Sequence, residues 1–513
     1  MLKKFRVIIS ILFFVLITWY FLDFAALLPD SRFNWLTCIQ FVPAIFATSV
    51  VVVAILLLLT LIFGRIYCSS VCPMGIFQDI VSYFSKKVTK KKRYKFGKAK
   101  NVLRRSILAL AIIVLVCSSA MFIGFIDPYS AYGRIVVNIF KPVYLMGNNI
   151  LEAIFTHFGH YTFYRKEIYI SSLFTFIVCW ITILSIGYLA WKHGRTYCNT
   201  ICPVGTLLGF VSRISFFKVR IDTTLCNSCG NCERKCKASC INSKAQEVDT
   251  SRCVTCFNCL QGCNKKAIHY SFRIKPTGLT GERKTIQDSN IDKKKRQFLT
   301  TAIATTVTAP AVLAQGKLDE LTGSKQYTRQ IAISPPGSIS HKHLLKHCTA
   351  CHLCVSKCPS NVLKPAFLEY GIGGIMQPLM SFDKGYCNYA CTICSDVCPN
   401  EAIKKLTVEE KHLTQMGKVH FSPDICIVTT EETNCGACAE HCPTQAVTMI
   451  PYKNGLTIPH IDPEICIGCG GCEFICPVHP HRAIFIEGNK IQLQAKPFEI
   501  EERVDINLDE FGF

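Results

Sequence analysis

The chain contains no glycine-rich nucleotide loop, no hydrolytic triad and no molybdenum-type site, so neither phosphoryl transfer nor hydrolysis is where its chemistry lies. No histidine falls inside any of its long apolar runs, which excludes a bis-histidine haem held between membrane helices. Acids are scarce: 35 Asp and Glu face 57 Lys and Arg, a formal charge of +22. That excess is not the footprint of a nucleic-acid binder, because most of it belongs to thiolate chemistry and to membrane topology.

What the chain has in abundance is cysteine, 32 in 513 residues. The spacing is not that of a secreted disulfide framework. It is Cys-x-x-Cys-x-x-Cys-x-x-x-Cys, three thiols at intervals of three and a more distant fourth that serves a neighbouring cluster, which is the pattern of four-iron ferredoxins. Zinc sites use two spaced pairs per tetrahedral ion instead. Cys226, Cys229, Cys232 and Cys236, then Cys253, Cys256, Cys259 and Cys263, make a two-cluster module. By the exchange of fourth ligands, Cys263 completes the first set and Cys236 the second, with Cys240 a competitor for Cys236. Four further sets follow, each ending before proline: Cys348, Cys351, Cys354, Cys358; Cys387, Cys391, Cys394, Cys398; Cys426, Cys435, Cys438, Cys442; and Cys466, Cys469, Cys472, Cys476. The second and third of these are stretched. Glu401-Ala402-Ile403, Gln445-Ala446-Val447 and Arg482-Ala483-Ile484 read as short strands over the clusters. Six four-iron clusters are expected, and since each with its thiolates carries a net 2−, they lower the formal charge by ~12.

A second pattern is an internal repeat. Gly64-Arg65-Ile66-Tyr67-Cys68-Ser69-Ser70-Val71-Cys72-Pro73-Met74-Gly75 returns 130 residues later as Gly194-Arg195-Thr196-Tyr197-Cys198-Asn199-Thr200-Ile201-Cys202-Pro203-Val204-Gly205. Each copy follows a long apolar run, and cysteines at i and i+4 share one helical face. If the repeats pack about a pseudo-twofold axis, Cys68, Cys72, Cys198 and Cys202 converge on one further metal or cluster; otherwise they are two redox or structural thiol pairs.

The composition, 50% apolar, places part of the chain in lipid. Apolar segments at 7–28, 41–63, 106–126 and 168–191 each approach the ~20 residues a membrane helix needs. Between the second and third, residues 86–105 carry eleven Lys/Arg and no acid, which by the positive-inside rule puts that loop, and both Cys-x-x-x-Cys-Pro pairs, in the cytoplasm. Asp23, within the first segment near its outer end, and Asp127-Pro128-Tyr129-Ser130, just outside the third, are candidates for a quinol site or for interfacial and turn roles. A polar linker ends in Lys295-Arg296-Gln297-Phe298-Leu299 and a weakly apolar stretch closing at Ala314, a pattern similar to a twin-arginine export signal with Lys-Arg in place of Arg-Arg. Cleavage near Ala314 is open, and a surface helix or a tether is the plainer alternative. Cys38, Cys117 and Cys179 fit no ligand pattern and read as packing thiols.

The four apolar segments, the two Cys-x-x-x-Cys-Pro motifs and the first two-cluster module resemble the NapH-type membrane ferredoxins, a core shared with NosR-type and CcoG-type proteins. From about residue 293 the chain resembles the NapG-type exported four-cluster ferredoxins, so the whole resembles a NapH–NapG fusion. The resemblance implies an α-helical membrane bundle of four spans plus α+β ferredoxin-like domains binding multiple [4Fe-4S] clusters. The divisions are a membrane domain at 1–215, a cytoplasmic two-cluster ferredoxin at 216–275, a linker and signal or tether at 276–330, and a four-cluster domain at 331–513. In that last domain the regular outer sets are expected to pair with each other, and the stretched inner sets likewise.

The function implied is a quinol dehydrogenase relay in a bacterial inner membrane, an electron-transfer subunit rather than a stand-alone enzyme. It would draw on lipid-dissolved quinol and pass electrons to a periplasmic reductase or carrier, residues 315–513 being periplasmic. The chemistry would be the cofactors' own. Two alternatives are a CcoG-like metal-reducing assembly factor for a copper or haem enzyme, and a redox sensor or scaffold without catalysis.

Overall fold

A computed structural model describes residues 1–23, 27–89, 94–116, 120–168, 172–272 and 329–497. The export-like segment, Ala314 and Cys117 lie outside the described residues.

Among the described residues up to Ser212, the regular elements are all helices. Helix α1 (Leu2–Leu22) is followed by α2 (Phe41–Phe46) and α3 (Val50–Phe63), and α3 stops at Gly64, whose φ of +74° a side chain would resist. Next come α4 (Tyr67–Ser70), α5 (Pro73–Val88), α6 (Asn101–Val116), α7 (Ala120–Ile126) and α8 (Pro128–Ile135). A π-helical turn, Val136–Phe140, leads into α9 (Lys141–His157), and α10 (Leu173–His193) precedes α11 (Thr196–Thr200) and α12 (Pro203–Ser212).

Among the described residues, α1 and α10, 21 residues each, are long and apolar enough to cross a membrane. Both leave large apolar side chains exposed, including Ile8, Ile11 and Trp19 on α1 and Ile181 and Leu184 on α10. An outward face of that kind is what a helix in contact with lipid or a partner carries. Of the other two expected spans, segment 41–63 breaks at Ala47–Ser49, and the described parts of segment 106–126 belong to α6 and α7.

The repeat is visible in the fold, with one correction. Cys68 and Cys72 do not lie along one helical face: Cys68 sits in α4, whereas Cys72 is the N-cap of α5, and Cys198 and Cys202 stand in the same relation to α11 and α12. Proline explains the break. Pro73 and Pro203 drive the preceding residue out of the helical region, and Cys72 and Cys202 have ψ of 116° and 118°.

The remaining chain forms small α+β units built on two-stranded sheets. In the first, β1 (Phe217–Ile221) pairs antiparallel with β2 (Ile268–Phe272), Phe217 opposite Phe272. In the second region, β3 (Leu363–Pro365) pairs with β4 (Pro378–Met380), β5 (Thr414–Phe421) with β8 (Ile484–Gln494), and β6 (Val447–Pro451) with β7 (Thr457–Ile461). Two of the three expected strands thus form, beginning at Val447 and Ile484. Glu401-Ala402-Ile403 forms bends instead, with Ala402 and Ile403 still buried.

The two ferredoxin-like regions sit at opposite ends of α1. At its start, Lys3 Nζ donates to Gln261 Oε1 at 2.9 Å. At its end, Ser356 Oγ donates to Phe21 O at 2.6 Å, and Lys357 pairs with Asp23 at 3.0 Å. A helix of this length covers about 30 Å.

Candidate functional site

The thiol sets gather by exchange between neighbours. Cys226, Cys229, Cys232 and Cys263 line one cavity of about 190 Å³. Cys253, Cys256 and Cys259 surround Cys236, with Cys240 Sγ 3.5 Å from Cys236 Sγ, so both alternatives for the fourth position are at hand. In the larger region Cys358 joins Cys387, Cys391 and Cys394 around a common cavity, while Cys398 joins Cys348, Cys351 and Cys354. Cys476 joins Cys426, Cys435 and Cys438, and Cys442 joins Cys466, Cys469 and Cys472. This corrects the expected pairing. The first set exchanges its fourth thiol with the second and the third with the fourth, so sequential neighbours pair whatever their internal spacing.

The donor sets suit iron–sulfur clusters. Each holds four thiols, and backbone N–H groups point at sulfur: Ala267 N to Cys263 Sγ at 3.2 Å, Gly468 N to Cys466 Sγ at 3.3 Å and Ala350 N to Cys348 Sγ at 3.4 Å. Such donors stabilise thiolate and tune a cluster's potential. Burial pushes the Cys469 thiol up to about 12 and the Cys466 thiol up to about 11, so these thiols stay protonated until a cation takes the proton's place. Among the described residues no three His, Cys, Asp or Glu side chains converge as closely as a single ion requires.

Between the two ferredoxin-like regions, the repeats bring Cys68, Cys72, Cys198 and Cys202 together, all buried and close enough to influence one another's charge. The arrangement is reciprocal. Arg195 Nη1 donates to Cys68 O at 2.5 Å, and Arg65 Nη2 donates to Cys198 O at 3.2 Å. Both arginines are fully buried. The glycines ending each motif make the approach possible: a Cβ on Gly75 would stand 2.3 Å from Cys68 O, and one on Gly205 would stand 2.2 Å from Cys198 O. Sulfur receives donors here too, from Gln78 Nε2 to Cys198 at 3.1 Å and from Gly205 N to Cys202 at 3.3 Å.

Asp79 fastens this centre to its surroundings. It meets Arg195 at 2.8 Å, Arg6 at 3.1 Å and Lys237 at 3.3 Å, joining α5, the second repeat, α1 and the first ferredoxin-like region. Burial alone would raise its carboxyl, but Arg195, Lys237 and Arg6 outweigh that and hold it far below the usual carboxylate range. Sequence reasoning missed Asp79 and the arginines, although Arg65 and Arg195 occupy matching places in the repeat.

Short polar links run outward from the thiol centre both ways. On one side, Arg65 reaches Ser251 O at 3.1 Å and Asn199 reaches Ala238 O at 3.2 Å, each two residues from a cluster cysteine. On the other, Tyr197 donates to Ile126 O at 2.9 Å. Asp127 next to it caps α8 and accepts from Ser130 Oγ at 2.7 Å, and Ser130 Oγ bonds Thr349 Oγ1 at 2.9 Å, beside Cys348. Arg134 reinforces this joint by donating to Thr349 O and Ala350 O. Asp23, besides its ion pair, accepts from Leu27 N and Leu28 N. Of the extra thiols, Cys179 is buried and contacts Arg134 O at 3.4 Å, as a packing residue would.

Three family models match: a 4Fe-4S binding domain over residues 45–92 and 172–222, which contain the two Cys-x-x-x-Cys-Pro motifs, and two 4Fe-4S dicluster domains over 249–362 and 433–479. The chain is similar to the ferredoxin-type protein NapF of Escherichia coli, 27% identical over 157 residues, 31% of this chain and 87% of NapF. It is similar to ferredoxin-type protein NapG of the same organism, 26% identical over 195 residues, 36% of this chain and 80% of NapG. It also matches the putative electron transport protein YccM, 25% identical over 196 residues, 38% of this chain but only 47% of YccM. No solved structure matches.

Proposed function

We propose, from the premise that the chain is a NapG/NapH-like polyferredoxin, that it is a transmembrane relay carrying electrons of membrane quinol through six four-iron clusters to a periplasmic acceptor. Iron–sulfur electron transfer is common ground with its relatives; the quinol donor, the crossing and the acceptor are this reading's own. On this reading the four apolar segments cross the bilayer, the one that breaks at Ala47–Ser49 as two shorter helices. The regions 216–275 and 331–513 are its two cluster modules, cytoplasmic and periplasmic, and the chain is a natural NapH–NapG fusion.

The observation that carries the proposal is the position of Cys68, Cys72, Cys198 and Cys202. The two cluster-bearing regions sit at the two ends of α1, a helix about 30 Å long, and the four thiols lie between them, linked by Arg65 and Asn199 to the neighbours of Cys253 and Cys236 on one side and by Tyr197, Asp127 and Ser130 to the neighbour of Cys348 on the other. These four would hold a further cluster, supplying a one-electron stop between the two regions. The chain's own residues provide its anionic cradle, the cationic surround of Arg65 and Arg195, and exclusion of water.

The test is topological and compositional. A reporter at the C-terminus of the full chain in intact cells should be periplasmic, and the purified protein should lose one cluster's iron in a Cys68→Ser, Cys198→Ser double variant while remaining folded. A cytoplasmic reporter, or unchanged iron in well-folded variant protein, refutes the relay.

A further inference from the structure

The first ferredoxin-like region holds nine cysteines for two four-thiol sets, and the one left over, Cys240, stands against the second set. We infer that Cys236 is the fourth ligand of that set and that Cys240 is a non-ligating thiol whose S–H donates to the set's sulfurs, raising the reduction potential of the cluster held there. The inference concerns iron–sulfur electron transfer itself and does not depend on quinol as the donor.

Three observations carry it. The first separates the two thiols. Cys236 Sγ accepts from the backbone N–H groups of Ala238, Cys240 and Ile241, two, four and five residues on. Cys358 is cradled in the same way by Ser360, Val362 and Leu363, and Cys398 by Asn400, Ala402 and Ile403. Cys263 likewise accepts from the residue four on, Ala267 N at 3.2 Å. Those three are the exchanged fourth thiols of their sets, so the shared cradle marks Cys236 as the fourth thiol of this one. Cys240 then occupies the place of Val362, Ala402 and Ala267, a residue that lends its N–H to the ligand. No other fourth-position cysteine in the chain is followed four residues later by a thiol.

The second observation is where the side chain lies. Cys240 Sγ is 3.5 Å from Cys236 Sγ and also hydrogen-bonds Cys253, a ligand from the other arm of the same set. Its residue is 1% exposed and firmly held: its carbonyl accepts from Asp249 N at 2.8 Å, and Ile241 after it pairs with Val248. The third is the direction of the bond. Clusters are held by thiolates, which have no proton to give, so the proton in these contacts belongs to Cys240. An S–H group is a weak donor, but water is excluded here, and a low-dielectric surround strengthens the contact. Donors to sulfur draw off negative charge and so favour the reduced state. The other cluster of this module has Ala267 at the matching place and lacks such a donor. The set with Cys240 is the one beside the four-thiol centre, where Arg65 reaches Ser251 O at 3.1 Å, so the added proton favours an electron on the side facing that centre.

The experiment is a redox titration of the full chain in detergent, followed by paramagnetic resonance with iron content measured. Cys236→Ala should lose the iron of one cluster, and the signal it lacks identifies the midpoint to follow. Cys240→Ala, alanine being the residue at the matching place after Cys263 and Cys398, should keep its iron and lose about ten-fold in that cluster's reduction equilibrium, a fall of about 59 mV for one electron. Cys240→Ser restores an O–H donor and should return the midpoint toward wild type; Cys240→Val, matching Val362, takes the alanine variant's place should that variant lose iron. An unchanged midpoint without the thiol makes Cys240 a packing residue and overturns the inference, as does a fall equally large in Cys240→Ser. Loss of one cluster's iron from both Cys240→Ala and Cys240→Val overturns it too, because a thiol that is not a ligand is dispensable for assembly; iron kept in full by Cys236→Ala does the same.

Discussion

Replacing Asp79 by asparagine removes the one anion shared by Arg195, Arg6 and Lys237, with contacts of 2.8, 3.1 and 3.3 Å. Deleting one partner of a buried ion pair costs about 3–5 kcal/mol, since the remaining charges stay desolvated. Lys237 keeps some access to water, so the lower end applies. For a cooperative unit of 150–250 residues, 1 kcal/mol is about 2–4 °C, which gives a loss of about 6–12 °C. The assay is the temperature at which the full chain in detergent loses its visible iron–sulfur absorbance. The pH dependence supplies a second check. A carboxyl held below its ordinary value contributes stability that is present above the unfolded value of about 4 and is lost as pH falls through the folded one. The wild type should therefore soften on acidification below about pH 4, and Asp79→Asn should lack that part of the slope. A variant melting within about 1 °C of wild type, with an unchanged acid limb, would refute the reasoning.

Two further outcomes follow from the site geometry. Gly205→Ala places a Cβ 2.2 Å from Cys198 O, an overpacking of about 1–3 kcal/mol; it should displace the thiol centre and change its spectroscopic signal, whereas Gly147→Ala, with open space around it, should not. Cys358→Ser should remove the cluster of Cys387, Cys391 and Cys394, and Cys398→Ser that of Cys348, Cys351 and Cys354; paramagnetic resonance of the reduced variants distinguishes this exchange from pairing of the outer sets.

Much of the site was legible because thiol ligation imposes spacing on the sequence, so every cluster cysteine stands in a recognisable run. Which runs pair was not, since the exchanged fourth ligand is set by how neighbouring loops fold together and the internal spacing of a run carries no record of it. The repeat was legible as a repeat, but a helical-face argument misjudged Cys68 and Cys72 by giving too little weight to the restriction Pro73 places on its predecessor. Arg65 and Arg195 looked like ordinary charges at a membrane edge; only their burial against each other's cysteine carbonyls reveals their role. Asp23 was visible as an odd acid in an apolar run, whereas its partner Lys357 lies 334 residues away, a separation that no local pattern encodes. The C-terminal ends of the third and fourth apolar segments fall close to those of α7 and α10, because Asp127 and Gly194 punctuate them.

The crossed arginine contacts have an ancestral consequence. Each half of the helical bundle supplies two thiols and one arginine, and each arginine donates to a cysteine carbonyl of the other half, so the centre has the self-complementary form of a twofold interface between identical subunits. A single half owns only half a ligand set and a cation with no carbonyl to bind. Duplication within one chain turns that encounter of two molecules into a contact at fixed effective concentration, and frees the halves to diverge. The first half keeps Asp79 as its anionic anchor; at the matching place in the second half, 130 residues on, stands Gly209, where a Cβ would come within 2.6 Å of Ser251 O.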